Sequence, residues 1–173
     1  MDLFQLREKD LSSAALRALA GELVKALRGT RTRVLINGRP DIALIAGAHG
    51  VQLPEEGLPP GDVKAAFPSL LVGASCHSLA AAERAAEEGA DFLLFGPVFP
   101  TPGKAERAVG TRALAEVVRA LRVPVHAIGG IEADSVDQVW QTGCAGVAAI
   151  RAFLQEPLEA QVRRLRWGVG AGP

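Results

Sequence analysis

Paired cysteines are missing from this chain. Cys76 and Cys144 stand alone, with no CxxC pair and no metal-ligand spacing. That excludes a disulfide framework and a cysteine-based metal centre, and leaves two reduced, partly buried thiols as the expectation. An excess of charge of one sign is missing too: Lys+Arg and Asp+Glu both number 19. Neither a nucleic-acid footprint nor a polybasic membrane patch is therefore expected. No apolar run approaches the roughly 18 residues of a membrane-spanning helix. Met1-Asp2-Leu3-Phe4-Gln5 is not a basic region followed by an apolar stretch, so no secretory leader is visible and a cytoplasmic location is expected.

What is present is material for a core. Apolar residues make up 49% of 173 residues, which suits one domain, expected over residues 1–167, with Gly168–Pro173 as a disordered tail. Short apolar runs alternate with longer stretches of helical periodicity. Strands are expected at Leu3–Leu6, Arg33–Asn37, Val51–Leu53, Leu70–Ser75, Phe92–Val98, Val123–Ile128 and Gly146–Ile150. Helices are expected at Ser13–Leu27, Leu79–Glu88, Arg112–Leu121, Ser135–Thr142 and near Leu158–Trp167, with shorter ones around Pro40–Ala46 and Gly61–Phe67. Ser12, Ser78, Thr111 and Asp134 read as N-caps, and Gly47, Gly89 and Gly143 as left-handed C-caps.

This alternation implies an α/β fold with a parallel sheet and right-handed crossovers. The absence of a central switch point favours a TIM-type (β/α) barrel. A closed barrel has eight strands; seven are visible, and the first one opens the chain, so the first βα unit is expected to be lacking. Two uncovered edges would follow, and a homodimer is one way to cover them.

In such a barrel, ligand groups follow each strand. Alternation puts Gln5, Arg7 and Lys9 on one side, facing an anionic ligand. Asn37-Gly38-Arg39 offers an amide to orient a ligand and a guanidinium for a carboxylate. Gln52 ends the third strand, while His49 precedes it and reads as a surface or capping residue. Ser75 and His77 share a side after the fourth strand, where an imidazole suits general acid–base work. The long Gly96–Gly110 loop brings Thr101 and Lys104 and has the composition of a lid. Gly129-Gly130 and Arg151-Ala152 follow the last two strands, the usual place for a phosphate cup built from backbone amides.

Four motifs then occur in order: Gln-x-Arg-Glu-Lys (Gln5–Lys9), Ser-x-His-Ser (Ser75–Ser78), Gly-Pro-Val-Phe-Pro-Thr-x-x-Lys (Gly96–Lys104) and Ala-Ile-Gly-Gly-Ile (Ala127–Ile131). With them the chain resembles the thiamin phosphate synthase/TenI superfamily over residues 3–165. The resemblance implies a TIM barrel with phosphate held after the last two strands. It also implies one of two activities. The synthases join a hydroxymethylpyrimidine pyrophosphate to a thiazole phosphate, using magnesium held by two aspartates. This sequence has Gly38 and His49 at the places the resemblance assigns to those aspartates, Gln52 for a His and Pro54 for a Gly. TenI, a thiazole tautomerase, shares those replacements and shifts a proton without a metal, and its proposed proton carrier corresponds to His77.

The expectation is accordingly a cofactor-free tautomerase with no metal site, acting on a small phosphorylated thiazole. His77 and Ser75 would be catalytic. Gln5, Arg7, Lys9, Asn37, Arg39, Gln52, Thr101 and Lys104 would bind substrate, and Gly129, Gly130, Arg151 and Ala152 the phosphate. Gln5–Lys9 and Lys104 are instead more synthase-like, and Arg151 replaces a Ser common to both branches. A magnesium-dependent synthase and a non-catalytic binder of thiazole phosphate or thiamin phosphate remain the alternatives.

Overall fold

The computed structural model describes residues 2–101, 107–154 and 158–165. They form two compact units, one built from Met1–Ser75 with Glu87–Asp91, the other from Cys76–Ala86 with the chain from Phe92 onward. Among the described residues there are seven strands, and every pairing within a unit is parallel.

In the first unit, β1 (Leu3–Leu6), β2 (Arg33–Asn37), β3 (Gly50–Leu53) and β4 (Leu71–Cys76) pair in chain order. Helices α1 (Ser13–Ala26), α2 (Pro40–Ile45) and α3 (Pro60–Ala66) alternate with them. The continuous apolar run of β2 is explained by burial of both its faces: Val34, Leu35 and Ile36 are all enclosed. Each such side chain stabilises the fold by about 1.5–3 kcal/mol relative to exposure. On one face Val34 and Ile36 pack with Leu16 and Ala20 of α1 and Ile42 and Ala43 of α2. Ser12 caps α1 as expected, its Oγ accepting from the Ala15 amide at 3.2 Å. α2 and α3 both begin with proline, which has no amide hydrogen to leave unpaired there.

The amino ends of the strands are pinned by side chains. His49 Nδ1 accepts the Val34 amide at 3.0 Å. Asp91 accepts both the Val72 amide at 2.7 Å and Lys64 Nζ at 2.6 Å. His49 is thus a capping residue.

The second unit carries β5 (Phe92–Phe95), β6 (Val125–Ile128) and β7 (Gly146–Ala148), again paired in chain order. α5 (Gly110–Ala120) turns Leu114 and Val117 inward. α4 (Leu79–Glu87), α6 (Val136–Trp140) and α7 (Leu158–Leu165) complete the alternation, with a 3-10 turn at Arg151–Leu154. Ser78 caps α4 through the Ala81 amide at 3.2 Å. Gly47, Gly89 and Gly143 take the left-handed conformation expected after helices.

Several expected boundaries are corrected. β5 ends at Phe95 rather than Val98, because Pro97 has no amide to give a ladder. β7 ends at Ala148, not Ile150, where the chain enters the 3-10 turn. α5 already starts at Gly110, so Thr111 lies inside the helix instead of capping it. α6 begins after Ser135, not Asp134; Ser135 Oγ accepts from the Glu132 amide at 3.1 Å and closes a local turn. The expected tail at Gly168–Pro173 lies outside the described residues.

Candidate active site

Within each unit the parallel strands present their carboxyl ends together, and each unit carries a cluster at its own strand ends. In the first unit, register places Asn37 beside Gln52, and Gln52 beside Gly73, two residues before Ser75. Residues in register, or two apart, point to the same face. The outcome is a row of polar side chains: Gln5 Nε2 donates to Asn37 Oδ1 at 2.8 Å, and Gln52 Nε2 donates to Ser75 Oγ at 3.0 Å. Gln52 is fully buried, and its Oε1 has no partner among the described residues.

β1 ends at Leu6, so strand alternation places Gln5 but not Arg7 or Lys9. Those two cations lie beyond the strand and are exposed. Arg39 is engaged locally. Its Nε and Nη2 grip both oxygens of Asp41 at 2.9 and 2.7 Å, and its Nη1 reaches Ser13 Oγ at 3.0 Å. That fork holds the Asp41 carboxyl below the usual carboxylate range, chiefly through the side-chain hydrogen bonds. The guanidinium expected to meet a substrate carboxylate is thus already paired, although it remains partly exposed.

In the second unit His77 stands just past the end of β4, exposed, with Nδ1 hydrogen-bonded to the Gly96 carbonyl. A carbonyl only accepts, so Nδ1 is the donor in this contact and carries a proton. The segment after β5 runs against the turn after β6. Val98 and Phe99 donate to the Ile128 and Gly129 carbonyls at 2.9 and 3.0 Å. A Cβ on Gly129 would come within 2.5 Å of Pro97, and one on Gly130 within 2.8 Å of the Phe99 backbone. Glycine at both positions is required by this close approach and by positive φ of 97° and 65°.

The long loop is closed at its base by Val109 and Gly110 amides donating to the Pro97 and Val98 carbonyls. Thr101 is half-buried in it, and Lys104 lies outside the described residues. Arg151 is exposed at the start of the 3-10 turn, with Ala152 next to it. Sequence reasoning passed over His126. Its ring packs edge-on to Phe92 at 5.5 Å and over Gly146, a packing role for which sequence carries no distinct signal.

The geometry corrects the comparison of metal positions. Leu35 is paired with Gly50 and Asn37 with Gln52, so position 49 lies level with Val34 and position 38 level with Leu53. Four strand residues separate those levels, about 13 Å. A carboxylate at position 49 would sit at the amino end of β3 and share no ion with one at position 38. The missing acid at His49 thus carries no weight for an ion bound at position 38.

Among the described residues no cage of protein ligands for a magnesium ion is present; such an ion is usually held by one or two carboxylates together with the substrate's phosphates. Gly38 offers no side chain, Asp41 is held by Arg39, and no group of three or more His, Cys, Asp or Glu capable of holding a metal occurs among the described residues. Glu55 and Glu56 are the acidic side chains of the neighbouring turn.

Residues 1–153 match the family model described as thiamine monophosphate synthase. The chain belongs to the thiamine monophosphate synthase family. A protein of Geobacter sulfurreducens, provisionally named a thiamine-phosphate synthase, is 44% identical over 156 residues, spanning 88% of this chain and 73% of its own length. The thiamine-phosphate synthase of Anaeromyxobacter dehalogenans is 42% identical over 173 residues, spanning 97% of this chain and 77% of its own. The solved thiamine phosphate pyrophosphorylase of Pyrococcus furiosus superposes with a TM-score of 0.88 at 35% identity, over 95% of this chain and 81% of that one. The fold class is the (β/α)-barrel type expected from sequence, and the chain is a member of a family of thiamin biosynthesis. No helix among the described residues is long and apolar enough to cross a membrane.

Proposed function

We propose that this chain is a thiamine-phosphate synthase, joining a pyrimidine carrying a diphosphate ester to a thiazole phosphate. What carries the reading is 35% identity at a TM-score of 0.88 to a solved thiamine phosphate pyrophosphorylase over nearly the whole chain. The strand-end amides Gln5, Asn37 and Gln52 support it, because planar heterocycles are oriented by such groups.

In this reaction the methylene–oxygen bond breaks and pyrophosphate leaves with the electron pair. The thiazole nitrogen lone pair then forms the new carbon–nitrogen bond, so no proton need move. The leaving group gains negative charge, and the exposed Arg7 and Lys9 supply positive charge for it. Gln5 and Asn37 orient the pyrimidine. In the second unit, taken by itself, the turn at Gly129-Gly130, with Arg151 and Ala152, offers amides and a guanidinium for a phosphate.

One observation favours the tautomerase as a second reading: Gly38 offers no carboxylate, Asp41 is paired with Arg39, and no group of three or more acidic or other metal-binding side chains occurs among the described residues to assist departure of pyrophosphate. There His77 Nε2 takes the ring proton and returns one to the exocyclic carbon. Two variants separate the readings. The synthase reading predicts that Arg7→Ala lowers kcat/KM for thiamin phosphate formation by about 10–100-fold. The tautomerase reading predicts that His77→Ala lowers aromatisation of the carboxythiazole tautomer by about 10²–10⁴-fold. If Arg7→Ala turns over at the parent rate with both substrates saturating and dilute, the charge role assigned to Arg7 is wrong.

A further inference from the structure

We infer that Gln52 is a positioning residue that makes the Ser75 hydroxyl a hydrogen-bond donor toward the substrate, an inference that deepens the synthase reading and rests on it. Gln52 is fully buried, yet only its Nε2 is used, on Ser75 Oγ at 3.0 Å. Its Oε1 is enclosed without a partner among the described residues. A buried acceptor left unpaired works against stability, so a side chain chosen for the core alone would be apolar here. Its chain neighbours Val51 and Leu53, which point to the opposite face of the strand, are buried and apolar. An amide buried at this position points to what it does for Ser75.

A hydroxyl has one proton to give and lone pairs to receive. With Gln52 Nε2 filling one lone pair, the proton of half-buried Ser75 is turned away from the strand row and is left for a ligand acceptor. The ligand chemistry that fits is an aromatic ring nitrogen or an anionic oxygen, both present in a pyrimidine diphosphate and a thiazole phosphate. The amide direction is what matters. A carboxylate at position 52 would only accept, and would draw the Ser75 proton back to itself.

The test uses Gln52→Met, Gln52→Glu, Ser75→Ala and the double variant Gln52→Met/Ser75→Ala in the full chain. Calorimetry with thiamin phosphate gives affinity, and thermal unfolding without ligand gives the midpoint. We expect Gln52→Met to melt at or above the parent midpoint while binding thiamin phosphate roughly three- to tenfold more weakly, the loss of about one hydrogen bond. Ser75→Ala should weaken binding to a similar degree. The double variant should bind no worse than Ser75→Ala, because Gln52 acts through that hydroxyl. Gln52→Glu should bind more weakly than Gln52→Met.

A Gln52→Met midpoint well below the parent value makes Gln52 a structural residue and overturns the inference. So does Gln52→Met binding equal to the parent, or a double variant showing the sum of the two losses. A parent protein that binds no thiamin phosphate overturns the synthase reading instead, and the midpoint comparison alone then decides the role of Gln52.

Discussion

Replacing Gly129 by alanine tests the packing that shapes the glycine turn after β6. Two costs add. A non-glycine residue in left-handed backbone costs about 1–2 kcal/mol. The new methyl would also start 2.5 Å from Pro97 Cβ and 2.6 Å from its Cα, atoms of the backbone and ring rather than of a flexible tip. Relieving such a contact costs about 1–3 kcal/mol. Alanine recovers about 0.4–1 kcal/mol by stiffening the unfolded chain. The net is a loss of roughly 1–5 kcal/mol, centred near 3. Gly89 supplies the control. It has a similar φ of +85° but nothing within 4 Å of an added Cβ. Gly89→Ala should therefore lose only about 1 kcal/mol. Urea unfolding followed by circular dichroism compares the two at unchanged m-value. At this chain length the difference corresponds to a melting shift of about 4–8 °C. Equal midpoints for the two variants would refute the close approach of the Pro97 and Gly129 segments.

Three further outcomes are expected. Asp91→Ala should destabilise by about 1–3 kcal/mol in urea unfolding, because the Val72 amide loses a charge-assisted partner; Lys64→Met should lose less than about 1. The Asp41 carboxyl has its affinity for protons lowered by Arg39, so its stabilising effect is present above the unfolded-state pKa near 4 and fades as pH falls through the lower folded value. Asp41→Asn should thus lie at most about 0.5 kcal/mol below the parent at neutral pH, the pair being substantially exposed, with the two stability curves converging below about pH 4. Burial pushes the Cys144 thiol upward, so a thiol reagent at pH 7.5 should leave Cys144 unmodified in the native protein and label it in denaturant.

The seven strands were legible because β2, β3 and β5 bury both faces, which forces apolar runs such as Val34-Leu35-Ile36 and Phe92–Phe95 into the sequence. Ser12 and Ser78 were legible as caps because a short hydroxyl before an apolar period has few other uses. The end of β5 was not, since apolar residues continue past the proline that halts the ladder. At the site, period-two alternation placed Gln5 correctly on β1 but was carried too far, to Arg7 and Lys9, because nothing apolar marks where the strand stops. The pairing of Arg39 was not legible for a different reason: its partner Asp41 lies two residues away, across the start of α2, and only backbone geometry reveals the fork. His49 carries the most weight. Sequence gave it the right local reading, a capping residue, yet also counted it among lost metal ligands; the parallel register separates it from Gly38 by most of a strand length.

The most direct measurement is product analysis of the unmodified protein supplied with the pyrimidine diphosphate and the thiazole phosphate, in the presence and absence of magnesium. The account predicts thiamin phosphate and pyrophosphate in equal amounts over repeated turnovers. Intact substrates after prolonged incubation, from a sample that readily aromatises the carboxythiazole tautomer, would contradict it.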